Sequence, residues 1–547
     1  MHFLIFLFST LLFSSQKYDE NKLKISKRED THRVWLHFQD KVESLPIVLD
    51  KKTVLRRQKN GEKIQSDWYD LSVSKKYIDQ LKTLGFEVLN ESRWLNAVSI
   101  NCHKNDFLIL SSLKFVEKIE PVYRTKRKRI KKNEKRGTER SLLYGNSEIQ
   151  MEQINAPAAH EMGYYGQGVR ILYIDTGFDL SHEAFDSIQV VGEYDFINDD
   201  IITSNETDQE EQNNQDEHGS LCLSVLSGFK EGELIGPAFK SEFLLAKTEI
   251  VDEEIQQEED NYIAALEWGE ALGADIACAS LGYIDWYSYE DLDGNTASTT
   301  NAVDIASSLG MLCVNSAGNS GNDEWYYVIT PADADSVLSV GSVTSEGELS
   351  YFSSHGPTYD GRIKPEVCAM GSSTYCIRPG TNSEYRYASG TSLSAPLAAG
   401  AAAIVLSANP SWSAMDIREA IINTASMAEI PNNDYGYGII NTLEAIHYNL
   451  NLFIDSSSAI PEKYSFSIFP NPFNPYLTIE FFEPDGDIVN IDIIDINGRL
   501  ITTLIDNEVM QNTHTVRWYP VGNSSGIYFV RIKINDELKY KKVTFIK

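Results

Sequence analysis

Residues 169–177 read VRILYIDTG. An apolar run this continuous, rich in β-branched residues, predicts a strand buried on both faces rather than on one. Such strands belong to parallel sheets covered by helices. The run ends in Asp175-Thr176-Gly177, which sets a carboxylate at the carboxyl end of the strand. That is where open α/β sheets present functional groups. Outward from this stretch the same texture recurs. EFLLAKTEI (242–250), ADIACASLG (274–282), MLCVNSAG (311–318) and SVLSVGSV (336–343) read as further strands. HGSLCLSVLSG (218–228), NYIAALEWGEALG (261–273), TTNAVDIASSLG (299–310) and SLSAPLAAGAAAIVLSA (392–408) read as helices between and after them. The alternation predicts an α/β region over 145–450, a doubly wound and mostly parallel sheet. The acidic stretches 199–217 and 249–260 are expected to be a surface loop and a solvated face.

The flanks have other textures. Residues 17–123 follow the order β-α-β-β-α-β, with one strand at 33–38, two within 86–100 and one at 115–123, and helices at 73–85 and 104–113, the order of a ferredoxin-like α+β unit. Residues 124–136, RTKRKRIKKNEKR, hold nine basic residues and one acidic residue. A block of that kind is solvated and open to cleavage, so 124–144 is expected to be a basic, cleavable linker. After a linker at 451–464, FPNPFNP (469–475) precedes short alternating strands separated by Asp485-Gly486, Asn497-Gly498 and Ser525-Gly526. Residues 465–547 therefore predict a small all-β sandwich. FLIFLFSTLLF (3–13) is apolar but too short to span a bilayer, which predicts a signal peptide over 1–16.

The chain has 547 residues and a formal net charge of −31. That charge is unevenly distributed, at about +12 over 1–140, about −40 over 141–450 and about −3 over 451–547. An acidic central region disfavours nucleic acid as a partner. Hydrophobic residues at 42% and aromatics at 11% exclude a wholly disordered chain. The six cysteines do not make a disulfide scaffold or a CxxC metal site. Cys278 and Cys313 lie in apolar runs and read as buried thiols, while Cys368 and Cys376 are close enough in sequence that a bridge stays open.

Three residues in the α/β region carry candidate chemistry. Asp175 ends a strand, His218 opens a helix, and Ser392 follows Gly390-Thr391 at the entry of an apolar helix. Each alone has an ordinary structural explanation; for Ser392 it is helix capping. Asp-Thr-Gly also suits an aspartic protease, but no second such carboxylate lobe is found. The order Asp, His, Ser is one in which a nucleophilic triad is built.

With Ser280-Leu281-Gly282, Ser316-Ala317-Gly318-Asn319, Gly390-Thr391-Ser392-Leu393-Ser394-Ala395-Pro396 and YGYGIINTLEAI (435–446), the chain resembles the subtilisin-like serine proteases over about 150–447. FSSHGP, RIKPEV and the 258–276 segment are most similar to a branch common in Bacteroidetes-type bacteria. Ser220, Met370 and Leu393 depart from the commoner Thr, Pro and Met or Phe, and none removes a group the chemistry needs. The resemblance implies a secreted serine endopeptidase, with Ser392 as nucleophile, His218 as general base and Asp175 as its orienting partner. Asn319 would serve the oxyanion. Ser280, Leu281, Gly282, Ala317 and Gly318 would line the substrate, and the pocket floor is expected within 319–333. Polypeptides are the implied substrates, and no cofactor is required for the chemistry. A structural Ca2+ is compatible with the family, although no loop has EF-hand spacing.

The front segment resembles an inhibitory subtilisin prosegment, whose end near Pro121–Arg124 would lie in the active site. Its basic charge should favour docking on the acidic enzyme, less so at high salt. The tail looks like the C-terminal sorting domain of type IX secretion cargo. That implies a route through the periplasm of a Gram-negative bacterium to secretion or cell-surface attachment, with the type IX machinery as partner. A monomer is expected. The rival readings are a binding protein on a dead protease fold, which the intact Asp175, His218, Asn319 and Ser392 oppose, and a carboxyl-serine peptidase, which His218 opposes. A dedicated processing role and a digestive one stay equally open.

Overall fold

The computed structural model describes residue 17 and residues 27–28, 31–59, 68–121, 124–125, 142–251, 254–255 and 257–448. In the C-terminal part it describes 465–469, 476–483, 488–495, 499–509, 512–520, 526–534 and 537–545. The expected signal peptide, the linker at 451–464 and most of the basic stretch lie outside the described residues. The chain forms two units, Met1–Asn449 and Leu450–Lys547.

The heart of the first unit is a seven-stranded parallel sheet. Its strands are β1 (Arg170–Asp175), β2 (Gln189–Asp195), β3 (Glu242–Lys247), β4 (Ile276–Ala279), β5 (Leu312–Ser316), β6 (Leu338–Val343) and β7 (Val367–Met370). They lie in the order β7-β6-β5-β4-β1-β3-β2. The strand order reverses at β1, so its carboxyl end opens on the crevice where such sheets bind ligands.

Helices α1 (Glu217–Ser227), α2 (Gln257–Ala271), α3 (Ser298–Ser308) and α4 (Thr391–Ala408) cover the sheet. Helices α2 and α3 share one core with Leu172, Ile174, Leu244, Ala246, Ala277 and Cys313. Side chains alternate along a strand. Ile171, Tyr173 and Asp175 therefore face the opposite side, toward α1.

Sequence texture misses the two edge strands, β2 and β7. β2 alternates polar and apolar because its edge is open, and β7 is only four residues long. The stretch 199–217 carries a helix of its own, Asp208–Asn213. Thr207 and Glu210 form a reciprocal capping box at its start.

The front segment has the ferredoxin-like arrangement. Strands Val116–Pro121, Thr31–Phe38, Ala97–His103 and Val88–Ser92 lie antiparallel in that spatial order. Helices Lys75–Thr83 and Phe107–Ser112 supply Ile78, Leu81, Phe107 and Leu110 to its core. Among its additions that sequence periodicity does not reveal is the helix Lys51–Lys59, KKTVLRRQK. That helix has almost no apolar face, so its stability comes from contacts outside itself.

The second unit is all-β. A three-stranded and a four-stranded antiparallel sheet share one core that includes Leu477, Ile479, Trp518, Ile491, Val530 and Val543. Strands Ser465–Phe469 and Leu500–Val509 add to those expected from sequence. All six cysteines are free and buried, so Cys368 and Cys376 are not bridged. Cys368 lies inside β7 and Cys376 in the hairpin Thr374–Ile377 with Tyr385–Ala388.

Candidate active site

Asp175 closes β1 and is wholly buried. Its Oδ1 accepts the Thr176 N–H at 2.8 Å and lies 2.6 Å from His218 Nδ1. Helix α1 can come this close because residue 219 is glycine. A Cβ there would stand 2.2 Å from the Gly177 carbonyl oxygen and 3.0 Å from Asp175 Cβ. The His218 ring is about one-third exposed, and its Nε2 lies 3.7 Å from Cys222 Sγ one helical turn on. Burial, then the Asp175 charge, push the Cys222 thiol well above its ordinary range, so it is a neutral wall beside the imidazole.

Ser392 is the second residue of α4. Pro396, four residues on, has no N–H to give the Ser392 carbonyl. Ser280 Oγ donates to that carbonyl instead, at 2.8 Å, and Tyr173 OH lies 3.1 Å from Ser280 Oγ. The helix-interior proline thus leaves a carbonyl through which the segment after β4 is tied to Ser392.

Asn319 leaves β5 and turns toward the same helix end. Its Oδ1 accepts Thr391 N–H at 2.8 Å and Thr391 Oγ1–H at 3.1 Å. With Oδ1 so engaged, Nδ2 is free to serve as a donor. A Cβ on Gly390 would lie 2.8 Å from Ser392 Oγ and 3.7 Å from Asn319 Nδ2. Hydroxyl and amide therefore border one small space that only glycine leaves open.

The remaining expected residues lie in the segments that follow β4 and β5. Leu281 and Ala317 are buried, with the Leu281 carbonyl held by Asn315 Nδ2 at 2.8 Å and the Ala317 N–H by Val340 O at 3.0 Å. Gly318 N–H reaches Thr391 Oγ1 at 3.2 Å, and Gly282 is half-buried. The structure thus gathers Asp175 with His218 at one end of the crevice, and Ser280, Gly318 and Asn319 around Ser392. Tyr173 and Cys222 are neighbours that the sequence did not single out. The one sequence signal for Cys222 is its place four residues, one helical turn, after His218.

At both ends of the acidic run 249–260 the expected solvated face is absent among the described side chains. Glu249, Glu258, Glu259 and Asp260 are all buried. Glu249 accepts Tyr283 OH at 2.7 Å, and Glu258 accepts Ile250 N–H at 2.8 Å. Glu259 accepts Trp286 Nε1–H at 3.1 Å and Tyr287 OH at 2.7 Å.

Asp260 faces the front segment, whose arginines meet α2. Arg33 is 3.3 Å from Asp260. Arg56, Arg57 and Arg93 converge on Glu270, with Arg57 and Arg93 at 3.0 and 3.2 Å, and Arg57 also reaches Asp70 at 2.8 Å. Glu267 receives Ser92 Oγ–H and the N–H groups of Arg93 and Trp94 at 2.7 to 3.1 Å. Thr53 Oγ1 donates to the Glu270 and Ala271 carbonyls. These contacts are what hold the unexpected helix Lys51–Lys59. At the segment's end, Arg124–Thr125 adds as an antiparallel strand to Glu254–Ile255.

A calcium ion would need uncommitted carboxylates. Asp195, Asp200 and Glu206 are near enough together to ligate one. Lys247, wholly buried, already places its ammonium 2.8 Å from Asp195 Oδ2 and 2.5 Å from Glu210. Asp195 Oδ1 meanwhile accepts two backbone N–H groups. The lysine takes the place of a cation, so this group does not fit Ca2+.

Residues 166–438 match the subtilase family model. Residues 33–139 match the peptidase S8 propeptide domain of Bacteroidota, and residues 467–547 match a secretion system C-terminal sorting domain. The chain is similar to a subtilisin of Bacillus pumilus, at 30% identity over 56% of this chain and 98% of that protein. It is similar to subtilisin E of Bacillus subtilis at 30%, over 56% and 71%. It is similar to subtilisin BL of Lederbergia lenta at 28%, over 53% and 95%.

Proposed function

Because the chain belongs to the subtilase family of serine peptidases, we propose that it is a secreted endopeptidase working through Asp175, His218 and Ser392 by way of an acyl-enzyme. The observation that carries this reading is the 2.6 Å Asp175–His218 contact, in a site where Ser392 Oγ and Asn319 Nδ2 border one space. His218 takes the hydroxyl proton as Ser392 attacks a peptide carbonyl, then gives it to the leaving amine. Asp175 holds the Nδ1–H and offsets the charge of the imidazolium. Asn319 Nδ2 and the Ser392 N–H, at the positive end of α4, receive the oxyanion. One such donor is worth about 2.7–4 kcal/mol in the transition state. A fluorophosphonate is expected to label Ser392 of the mature chain. Mass spectrometry that finds no adduct on Ser392 removes the reading and leaves a binding protein on an inactive fold.

The family matches give the chain a propeptide and a sorting domain, and so secretion or surface attachment. We further propose that residues 17–123 act as an intramolecular inhibitor, that cleavage falls between Arg124 and Gly145, and that export passes through the periplasm by the type IX route. The strand pairing of Arg124–Thr125 with Glu254–Ile255 supports the first point, since strand addition is one way in which an extended peptide is held.

Docking is expected to depend on pH. Burial pushes Asp260 up to about 6 against the opposing pull of Arg33, and burial raises Glu267 in the same direction. Once the front segment leaves, both return to the ordinary carboxylate range near 4. Between these values the docked form holds protons that the separated form has lost, so docking weakens as pH rises through the window. Asp260 alone should weaken it about tenfold from pH 5 to pH 7. Inhibition of the mature chain by the front segment, measured at both values, checks this. Asp260→Asn should flatten the profile.

A further inference from the structure

The space beside Ser392 is a slot between two glycine backbones, and one side chain bridges it. A Cβ on Gly282 would lie 2.5 Å from both Cδ1 and Cγ1 of Ile329. A Cβ on Gly318 would lie 2.9 Å from Ile329 Cγ2 and 2.8 Å from Ser354 Oγ. Ile329 therefore spans the gap from one wall to the other, and it is half-buried, with part of its surface facing open space.

Its position is fixed from both sides. Ile329 N–H donates to Ala317 O at 3.0 Å. The next residue, Thr330, exchanges backbone bonds with Tyr283 at 2.8 and 3.3 Å, and its hydroxyl lies 2.9 Å from that of Thr299. A β-branched side chain on so constrained a backbone has little rotamer freedom. The backbone bonds hold its Cα in place beside the slot. The neighbouring aromatics do not compete for the space. Tyr326 stacks on His355 at 4.3 Å and Tyr327 on Tyr289 at 3.9 Å, so they pack the loop.

Both walls are tied to the nucleophile end of α4, one through Ser280 to the Ser392 carbonyl and the other through Gly318 to Thr391. A peptide whose carbonyl carbon meets Ser392 Oγ and whose oxygen meets Asn319 Nδ2 carries its acyl-side side chain one bond away. That side chain enters between the walls and meets Ile329.

We propose that Ile329 floors the acyl-side pocket and limits the enzyme to peptides with a small residue, such as glycine, alanine or serine, on the acyl side of the scissile bond. This rests on the reading that Ser392 and Asn319 form the reacting centre. The test uses mature enzyme and peptides that differ only at the acyl-side residue. The wild type should cleave after alanine at least about 10-fold faster in kcat/KM than after phenylalanine. Ile329→Ala and Ile329→Gly should each move that ratio toward phenylalanine by about 10-fold or more. Fluorophosphonate labelling of Ser392 is read in every sample. A labelled wild type that cleaves equally after both residues overturns the pocket proposal alone, as does an unchanged ratio in labelled variants. An unlabelled wild type overturns the catalytic reading and the pocket proposal with it. The wild-type ratio decides the matter even where a variant fails to fold.

Discussion

Replacing Ser392 with alanine is expected to lower kcat by roughly 10^6-fold, the scale on which removing the triad serine acts in subtilisin. The substitution should leave the fold intact. Among the described residues Ser392 Oγ makes no hydrogen bond that the helix needs, and the bond that anchors this position runs from Ser280 to the backbone carbonyl. Stability should therefore change by only about 0.5 kcal/mol or less. Two readouts separate the loss of chemistry from the loss of structure. Peptide hydrolysis falls to the residual level that oxyanion binding alone supports, and the precursor accumulates uncut because it can no longer process itself. A Ser392→Ala chain that still hydrolyses peptides within tenfold of the wild type would place the nucleophile elsewhere.

Replacing Glu270 with glutamine is expected to weaken the hold on the front segment by roughly 10^2–10^3-fold, from about 3–5 kcal/mol for a broken buried ion pair. Glu270 is wholly buried and receives Arg56, Arg57 and Arg93. Removing its charge leaves three guanidinium groups to share Asp70 and Glu267 in a place closed to water. Burial already pulls the Arg56 guanidinium below its ordinary range. Once the front segment is removed those arginines go with it, and Glu270, near the C-terminal end of α2, is not among the residues proposed to carry the chemistry. The same substitution should leave kcat/KM of the mature enzyme unchanged. The measurement is the dissociation constant between residues 17–125 and residues 142–547 produced as two chains. An unchanged constant would mean that sheet packing, and not the arginine cluster, holds the segment. Because these pairs are buried they are little screened, so the salt sensitivity expected from overall charge belongs to the encounter and not to the docked contacts.

How much could be read beforehand depends on range. The five inner strands, β1 and β3 to β6, were legible because burial on both faces demands continuous apolar runs that nothing else in the chain imitates. The edges β2 and β7 were not, since an edge strand is either half-solvated or short. The helix Lys51–Lys59 has no pattern of its own, because its stabilising partner, Glu270, is more than 200 residues away. The acidic run 249–260 shows the same limit from the other side. Charge predicts exposure only while no partner is in view, and tyrosine hydroxyls and arginines from distant segments supplied the partners.

The linear order of Asp175, His218, Asn319 and Ser392 was enough to indicate a class of chemistry, because each sits in a short motif whose neighbours have local work to do. Gly219 admits the close approach of helix to strand, and Pro396 leaves a carbonyl to be tied. Those requirements lie within a few residues and are visible in sequence. What the tertiary structure alone decided was everything set by meetings across the fold. These are the docking of basic residues on α2, the lysine standing where a cation could be sought, and Ile329 bridging two glycines that lie 36 positions apart in the chain. Spacing within a motif is dictated by local backbone geometry. Which side chain fills the space between motifs is settled only when packing brings them together.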